Sequence, residues 1–353
     1  MKHFGKFATA TALCAAISLT AITTAKAEDV VLRVGNWLPS HHLIISGIIR
    51  PWAEAIEAET DGTLSFEIMT SPLGPPPAQF DLLLDQAFDV GFGVSGHNPG
   101  RFTLTQVMDL PFMSPDPWSG SAASWAAYER WGGEYDEHEG AHIVGLFVHS
   151  NPNVNMANGR IESLADLEGK TIRVGGNVTG RIMSQLGATP VQLPPTEAQT
   201  AMSRGVADGI TFPSESIDFF GITPVITSAT RFPGGLYTDT FWVAFNEDSW
   251  NALSDEHKAA VEKHSGMAIA LLAGWAWTLG DRMGEEKLEE QGVEFITLSD
   301  DEIEVAKERL AELETEWLAE AESRGFDGEE IIEYARAMVQ FYDAAKVVNT
   351  PNQ

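Results

Sequence analysis

Cysteine is almost absent from this sequence. Cys14 stands alone in 353 residues, and it falls in a stretch that reads as a removable leader. MKHFGK is a basic start, FATATALCAAISLTAITTAKA is apolar over the length of a secretory signal, and Ala25-Lys26-Ala27 is an A-x-A cleavage site. Cleavage after Ala27 leaves no thiol, which excludes disulfides, zinc–thiolate sites and cysteine nucleophiles. Leu13 precedes Cys14 where a lipidated leader needs a small residue, so no lipid anchor is expected. An exported chain without disulfides suits a bacterial periplasm.

Basic residues are also scarce. There are 22 Lys and Arg against 51 Asp and Glu, a formal charge of −29, and Lys2, Lys6 and Lys26 lie in the leader. Nucleic acid and anionic membrane surfaces both demand a basic face, so neither is an expected partner. A saline habitat would screen the self-repulsion of so acidic a surface. Long apolar runs are missing beyond the leader. The most apolar stretch, Met267 to Gly280, leads directly into DRMGEEKLEEQ and reads as a buried helix rather than a membrane span.

What remains is enough for two domains, and it alternates between strand and helix patterns, the mark of an α/β fold. VVLRVGNW alternates as a first strand, and apolar residues at helical spacing run from about Ile44 to Glu59. TLSFEIMT, DVGFGVSG, IVGLFVHS and VADGITF read as further strands. SPLGPPP is a rigid loop. Thr196 and Gln199 form a capping-box pattern at the head of a short helix. LLLDQAFDVGFG and AMSRGVADGITF echo each other as helix, acidic turn, strand. A helical stretch from about Asp255 to Gln291 would extend about 50 Å, and two amphipathic helices follow from about Asp300 and Asp327.

Catalytic signatures are wanting. GGNVTGR, Gly175 to Arg181, has the glycine spacing of a phosphate loop but carries Arg181 and Ile182 where Lys and Ser or Thr belong. No histidine pattern matches a metal site, no serine sits in G-x-S-x-G, and no cofactor is indicated. Trp37, Phe212, Phe241 and Trp242 all fall at strand ends or in a strand after an irregular segment, where open α/β sheets place ligands. His41-His42 follows the first strand. Arg173 sits in the short strand TIRV. Its guanidinium keeps its charge, so it must face water, pair with a carboxylate or await a ligand.

LEGKTIRVG, LGATPV, Glu197 and GVADG occur in the order and spacing of one family, joined by DLPFM (Asp109 to Met113) and VAFNEDSWNAL (Val243 to Leu253). The chain resembles the DctP-type solute-binding proteins of TRAP (tripartite ATP-independent periplasmic) transporters. The resemblance implies a two-lobed, type II-like periplasmic binding protein with a ligand cleft between α/β lobes and a long bracing helix. On that pattern residues 28–150 with about 239–275 form one lobe and 151–238 with about 276–330 the other. Residues from about 331 to 353 form a C-terminal helix and tail. The chain would be a monomer, would not be an enzyme, and would hand a small organic solute to TRAP permease subunits in the membrane. In the family the arginine of K-I-R-V anchors a ligand carboxylate, and Arg173 holds that place. Phe212 stands where the family often has an asparagine, and Gly175 where it has a proline, so the cleft is more aromatic than a dicarboxylate needs.

The expected site is therefore Arg173, Phe212, Trp37, His41, Trp242 and Phe241, with a carboxylate-bearing ligand. A small amine or zwitterion such as ethanolamine or a betaine stays open, because aromatic boxes suit cations. A periplasmic enzyme and a sensory binding protein are the readings of another class.

Overall fold

A computed structural model describes Met1 and residues 29–349. The leader, its cleavage after Ala27 and Cys14 lie outside the described residues. Eleven strands occur among those described: β1 (Val30–Val34), β2 (Leu64–Ile68), β3 (Val90–Val94), β4 (Ala141–Val148), β5 (Asn153–Met156), β6 (Thr171–Val174), β7 (Thr189–Gln192), β8 (Gly209–Phe212), β9 (Ser228–Arg231), β10 (Thr240–Asn246) and β11 (Glu294–Thr297).

They form two sheets. The first has the order β2-β1-β3-β10-β4, the second β11-β9-β5-β8-β6-β7. Each sheet is mixed. In the first, β1 pairs parallel with β2 and β3, and β10 runs antiparallel between β3 and β4. In the second, β6 lies parallel between β7 and β8, and β5 runs antiparallel to β8 and β9. The chain crosses from one sheet to the other between Val148 and Asn153, and returns between Arg231 and Thr240. This is the α/β, two-sheet architecture of a two-lobed binding protein.

The echo between LLLDQAFDVGFG and AMSRGVADGITF has a structural counterpart. Asp89, before β3, accepts the Arg33 N–H of β1 at 2.8 Å. Asp208, before β8, accepts the Thr171 N–H of β6 at 2.8 Å. In both lobes an acidic turn fastens a strand to its parallel neighbour.

Several elements differ from the sequence-based expectation. Residues Ile44–Ile49 form a π-helix before the α-helix Arg50–Glu59. Periodicity cannot separate these two, because the wider turn leaves the same isoleucines buried. The stretch from Asp255 breaks into helices Asp255–His264 and Met267–Glu290. Gly266 stands at φ 62 between them, so the longer helix spans about 36 Å rather than 50. The helix Pro195–Ser203 starts after Pro194, and no side chain caps it. The Thr196–Gln199 pattern is thus no capping box.

Two helices join the lobes. In Met267–Glu290, Ile269, Ala273 and Trp277 enter the first lobe's core, while Leu288 enters a core of the second. Two glycines let it lie against both. A Cβ on Gly274 would meet Trp118 Cα at 2.6 Å, and one on Gly284 would meet the Ser214 carbonyl at 2.4 Å. In Asp300–Ser323, Ile303, Leu310 and Leu313 pack in the second lobe. One turn later Trp317 packs beside Leu104 and Met108, and its indole N–H donates to Thr103 O at 3.0 Å. Each of these two helices therefore packs against both lobes.

Candidate functional site

The carboxyl ends of β1, β3, β4, β6, β7 and β8 and the amino end of the antiparallel β10 all face the gap between the sheets, the place where α/β proteins bind ligands. There they line a cavity between the two lobes, the kind of site where binding proteins of this class hold small ligands. The first lobe contributes Trp37, His42, Val94, His97, His149, Asp239 and Phe241. The second contributes Arg173, Gly175, Pro195, Phe212, Ser216 and Phe220, and Trp277 of the bracing helix closes one side.

Arg173 is fully buried. Its Nε and Nη2 donate to Leu193 O at 3.0 and 2.5 Å, because β6 runs beside β7 and the chain leaving β7 turns its carbonyl inward. Nη1 has no hydrogen-bond partner. Cζ lies 4.3 Å from the centroid of the Phe212 ring. Burial lowers the Arg173 pKa to about 10, opposed by Tyr237 and Asp239, so the guanidinium stays charged at neutral pH. A buried cation with a spare donor beside an apolar cavity is suited to an anion.

The aromatic walls are themselves fixed. Trp37 spends its indole N–H on Phe92 O at 3.1 Å. Phe241 stacks on Phe147 at 5.1 Å, and Phe212 on Phe220 at 5.7 Å. Trp277 is buried and its Nε1 has no partner, while its backbone carbonyl accepts from Ser150 Oγ at 3.0 Å. That bond ties the helix to the first lobe crossing.

Opposite the aromatics lies a polar corner. His149 Nδ1 is 2.7 Å from Ser150 O and must donate to it, while Nε2 accepts the Asp239 N–H at 3.0 Å. Asp239 Oδ2 lies 3.3 Å from the same Nε2. Burial pushes the Asp239 carboxyl up, but the positive charge of Arg173 across the corner draws it down, and the group lies below its ordinary value. The corner is clamped from behind. Thr240 donates its N–H and its hydroxyl to Asp109 Oδ1 at 2.8 and 2.7 Å, and Thr238 Oγ1 donates to Met108 O. Burial and the nearby Asp239 charge drive Asp109 well above the usual carboxylate range. Burial lowers His97 to about 4, so it is neutral.

Arg173, Phe212, Trp37 and Phe241 come together around the cavity. His41 and Trp242 do not line it. His41 is exposed against Phe219, and its neighbour His42 turns inward instead. There His42 Nδ1 accepts the Ile44 N–H at 3.1 Å, and burial, with His41, lowers its pKa to about 3. Trp242 follows Phe241 in β10, so strand alternation sends it to the other face of the sheet, where it packs edge-on to Phe80. Sequence reading missed Asp239, His149, His97 and Trp277. The first two sit at the lobe crossings, whose irregular backbone hides side-chain direction. Trp277 lies in an apolar helix stretch indistinguishable from plain core.

Among the described residues no group of three or more His, Cys, Asp or Glu is placed to hold a metal ion, and no helix is long and apolar enough to cross a membrane.

Residues 34–321 match the family model of bacterial extracellular solute-binding protein, family 7 (DctP). A TRAP periplasmic solute-binding protein from Bordetella bronchiseptica, solved with bound (R)- and (S)-mandelate, is 34% identical. The match covers 88% of this chain and 99% of that one, with a TM-score of 0.85. A TRAP solute-binding protein from Rhodoferax ferrireducens, in complex with copurified benzoate, is 25% identical over 90% and 99% of the two chains, TM-score 0.84. A TRAP solute-binding protein of an unidentified microbe from a marine metagenome, specific for aromatic acid ligands and solved with 3-hydroxybenzoate, is 29% identical. It covers 90% of this chain and 99% of its own, TM-score 0.83.

Proposed function

Since the chain belongs to bacterial extracellular solute-binding protein family 7, the solute-binding proteins of TRAP transporters, we propose that it captures an aromatic carboxylate in the periplasm and delivers it to a TRAP membrane permease. The observation that carries this reading is Arg173. Its guanidinium is buried and charged, and its Nη1 amino group has no partner; it opens toward a cavity walled by Trp37, Phe212, Phe220, Phe241 and Trp277. A carboxylate meets the spare donor, and a ring attached to it fills the aromatic remainder. The mandelate, benzoate and 3-hydroxybenzoate held by the three similar proteins support the same ligand class.

A cationic amine fits less well. The Phe212 face that would receive it is already covered by the protein's own guanidinium, and a second cation there would be repelled. Catalysis has no support from a family of solute binders.

The test is a thermal-shift screen of the exported protein against benzoate, mandelate, 3-hydroxybenzoate, a C4 dicarboxylate, ethanolamine and betaine. A ligand selective for the folded state raises the melting point by mass action. Aromatic carboxylates should raise it most. A rise confined to ethanolamine or betaine would overturn the reading. Delivery is tested by uptake of the binding acid in cells that carry or lack the permease genes.

A further inference from the structure

Asp239 has no counterpart in a site that recognises only a carboxylate and a ring. An ionised acid in a cavity meant for an anion opposes binding unless it has work of its own. A Cβ on Gly175 would lie 3.4 Å from Asp239 Oδ2 and 3.9 Å from Arg173 Nη1. The two charged groups therefore reach the same corner of the cavity, one from each lobe. They favour each other's charge, yet the partner Asp239 contacts is His149, not Arg173.

The hydrogen-bond roles leave Asp239 short of donors. His149 Nδ1 donates to Ser150 O, so in the neutral ring Nε2 is an acceptor and takes the Asp239 N–H. It then has no proton for Oδ2. Were the ring protonated, Nε2 would serve Oδ2 alone. In either state no side chain or backbone group among the described residues donates to Oδ1. The Asp239 side chain keeps 18% of its surface open, and it lines the cavity, so the opening is toward the ligand. Its position is rigid, since Thr238 and Thr240 on either side are bonded to Met108 and Asp109.

We propose that Asp239 is a specificity-determining residue that selects aromatic carboxylates bearing a proton donor, a hydroxyl or an ammonium, on the carbon next to the carboxylate. The inference rests on the aromatic-carboxylate reading and narrows it. Arg173 takes the carboxylate, and Asp239 in the same corner takes the donor one bond away. A donor on the far side of the ring cannot reach Asp239 while the carboxylate stays on Arg173. An acid with no donor leaves the Asp239 oxygens desolvated and unpaired, and an unpaired buried charge is costly. A site built to bond a ligand donor rejects the analogue that lacks it.

Calorimetry with benzoate, phenylacetate, mandelate and phenylglycine tests this. Mandelate and phenylglycine share the donor position and differ in its charge, so they identify which donor the site prefers. At least one should bind tenfold or more tighter than phenylacetate. Asp239→Ala, which removes both acceptor oxygens, should collapse that ratio to within about threefold. The ratio is taken within one protein, so a modest loss of stability does not disturb it. Should Asp239→Ala fail to fold, the wild-type ratio still decides. Phenylacetate binding as tightly as both donors overturns this inference and leaves the aromatic-carboxylate reading standing. Failure of all four to bind overturns both. A preference that survives intact in Asp239→Ala assigns the discrimination elsewhere and also overturns the proposal.

Discussion

The Phe212 ring covers the Arg173 guanidinium, with Cζ 4.3 Å from the ring centroid. The ring does two things there. It shields the charge from water, which strengthens its pull on an anion, and its other surroundings continue the aromatic wall through Phe220. Phe212→Ala should weaken aromatic-acid binding by the ~0.5–2 kcal/mol of a cation–π contact together with lost ring packing. Calorimetry reads this as a loss of severalfold to a few tens of fold. A tighter acid complex in the variant would contradict the role given to the ring.

Arg173 itself should matter more. Removing one partner of a desolvated charge pair costs about 2–5 kcal/mol, so Arg173→Ala should bind benzoate-type acids tens to thousands of fold more weakly. Arg173→Lys should recover little. A point charge lacks the planar fork that holds Leu193 O while presenting a free donor to the ligand. Both variants should remain folded by circular dichroism. Wild-type affinity in Arg173→Ala would refute the anchor.

These two residues show how far the sequence was legible. An arginine inside a short apolar strand is conspicuous because burying it needs a reason. Phe212 lay at the end of a recognisable strand, and the α/β alternation fixed which end of each strand faces the cleft. Trp242 was misplaced for the opposite reason. Position along the strand was readable, but the choice of face turned on one residue of register, and Phe241 took the cleft. His41 and His42 posed the same choice in a turn. Asp239 and His149 were invisible because their role comes from two chain crossings meeting, a contact 90 residues apart in sequence.

Trp242 and Trp277 separate core from cleft. Trp242→Ala empties the cluster around Phe80, Phe88 and Phe102 and should cost ~3–5 kcal/mol of stability. Affinity of the folded fraction should stay near wild type. Trp277→Phe keeps most of the volume but removes the unpartnered indole N–H and part of the cavity wall. It should lower affinity more than it lowers the melting point. Melting curves and calorimetry on the two variants should rank them in opposite orders.

A buried carboxyl, Glu215, and a half-buried one on the bracing helix itself, Asp281, predict a pH dependence. Burial raises Glu215 to about 7 and Asp281 to about 6. Unfolding exposes both, returning Glu215 to its ordinary 4.5, so between these values the folded state binds the extra proton. Stability therefore falls as pH rises from about 4.5 and levels off above pH 7. Glu215→Gln keeps the acceptor for Ser216 Oγ and carries no charge to bury. Its gain over wild type should be near zero at pH 4 and grow to at most about 3 kcal/mol at pH 8. Denaturant melts at the two pH values measure the difference. An equal effect at both would show that Glu215 does not titrate in this range.

The two lobes also approach each other at two glycines beside the cavity, Gly176 and Gly96. A Cβ on Gly176, in the second lobe, would sit 3.5 Å from the Gly96 carbonyl oxygen of the first, an ordinary contact. Alanine therefore fits at the lobe separation seen here. A longer side chain does not, because its outer carbons must occupy the Gly96 carbonyl or push the lobes apart. Gly176 also begins the helix Asn177–Gln185, and alanine and leucine are comparably poor at that position. Comparing Gly176→Ala with Gly176→Leu therefore isolates side-chain size. Neither lobe's core is touched, so the two variants should melt within a few degrees of each other. Leucine should nonetheless bind an aromatic acid at least tenfold more weakly, the order of the ~1–3 kcal/mol that overpacking costs. Small-angle scattering with saturating ligand should show a larger radius for Gly176→Leu than for Gly176→Ala. Equal affinities and equal radii would mean that ligand capture does not require the lobes to close to the separation seen here.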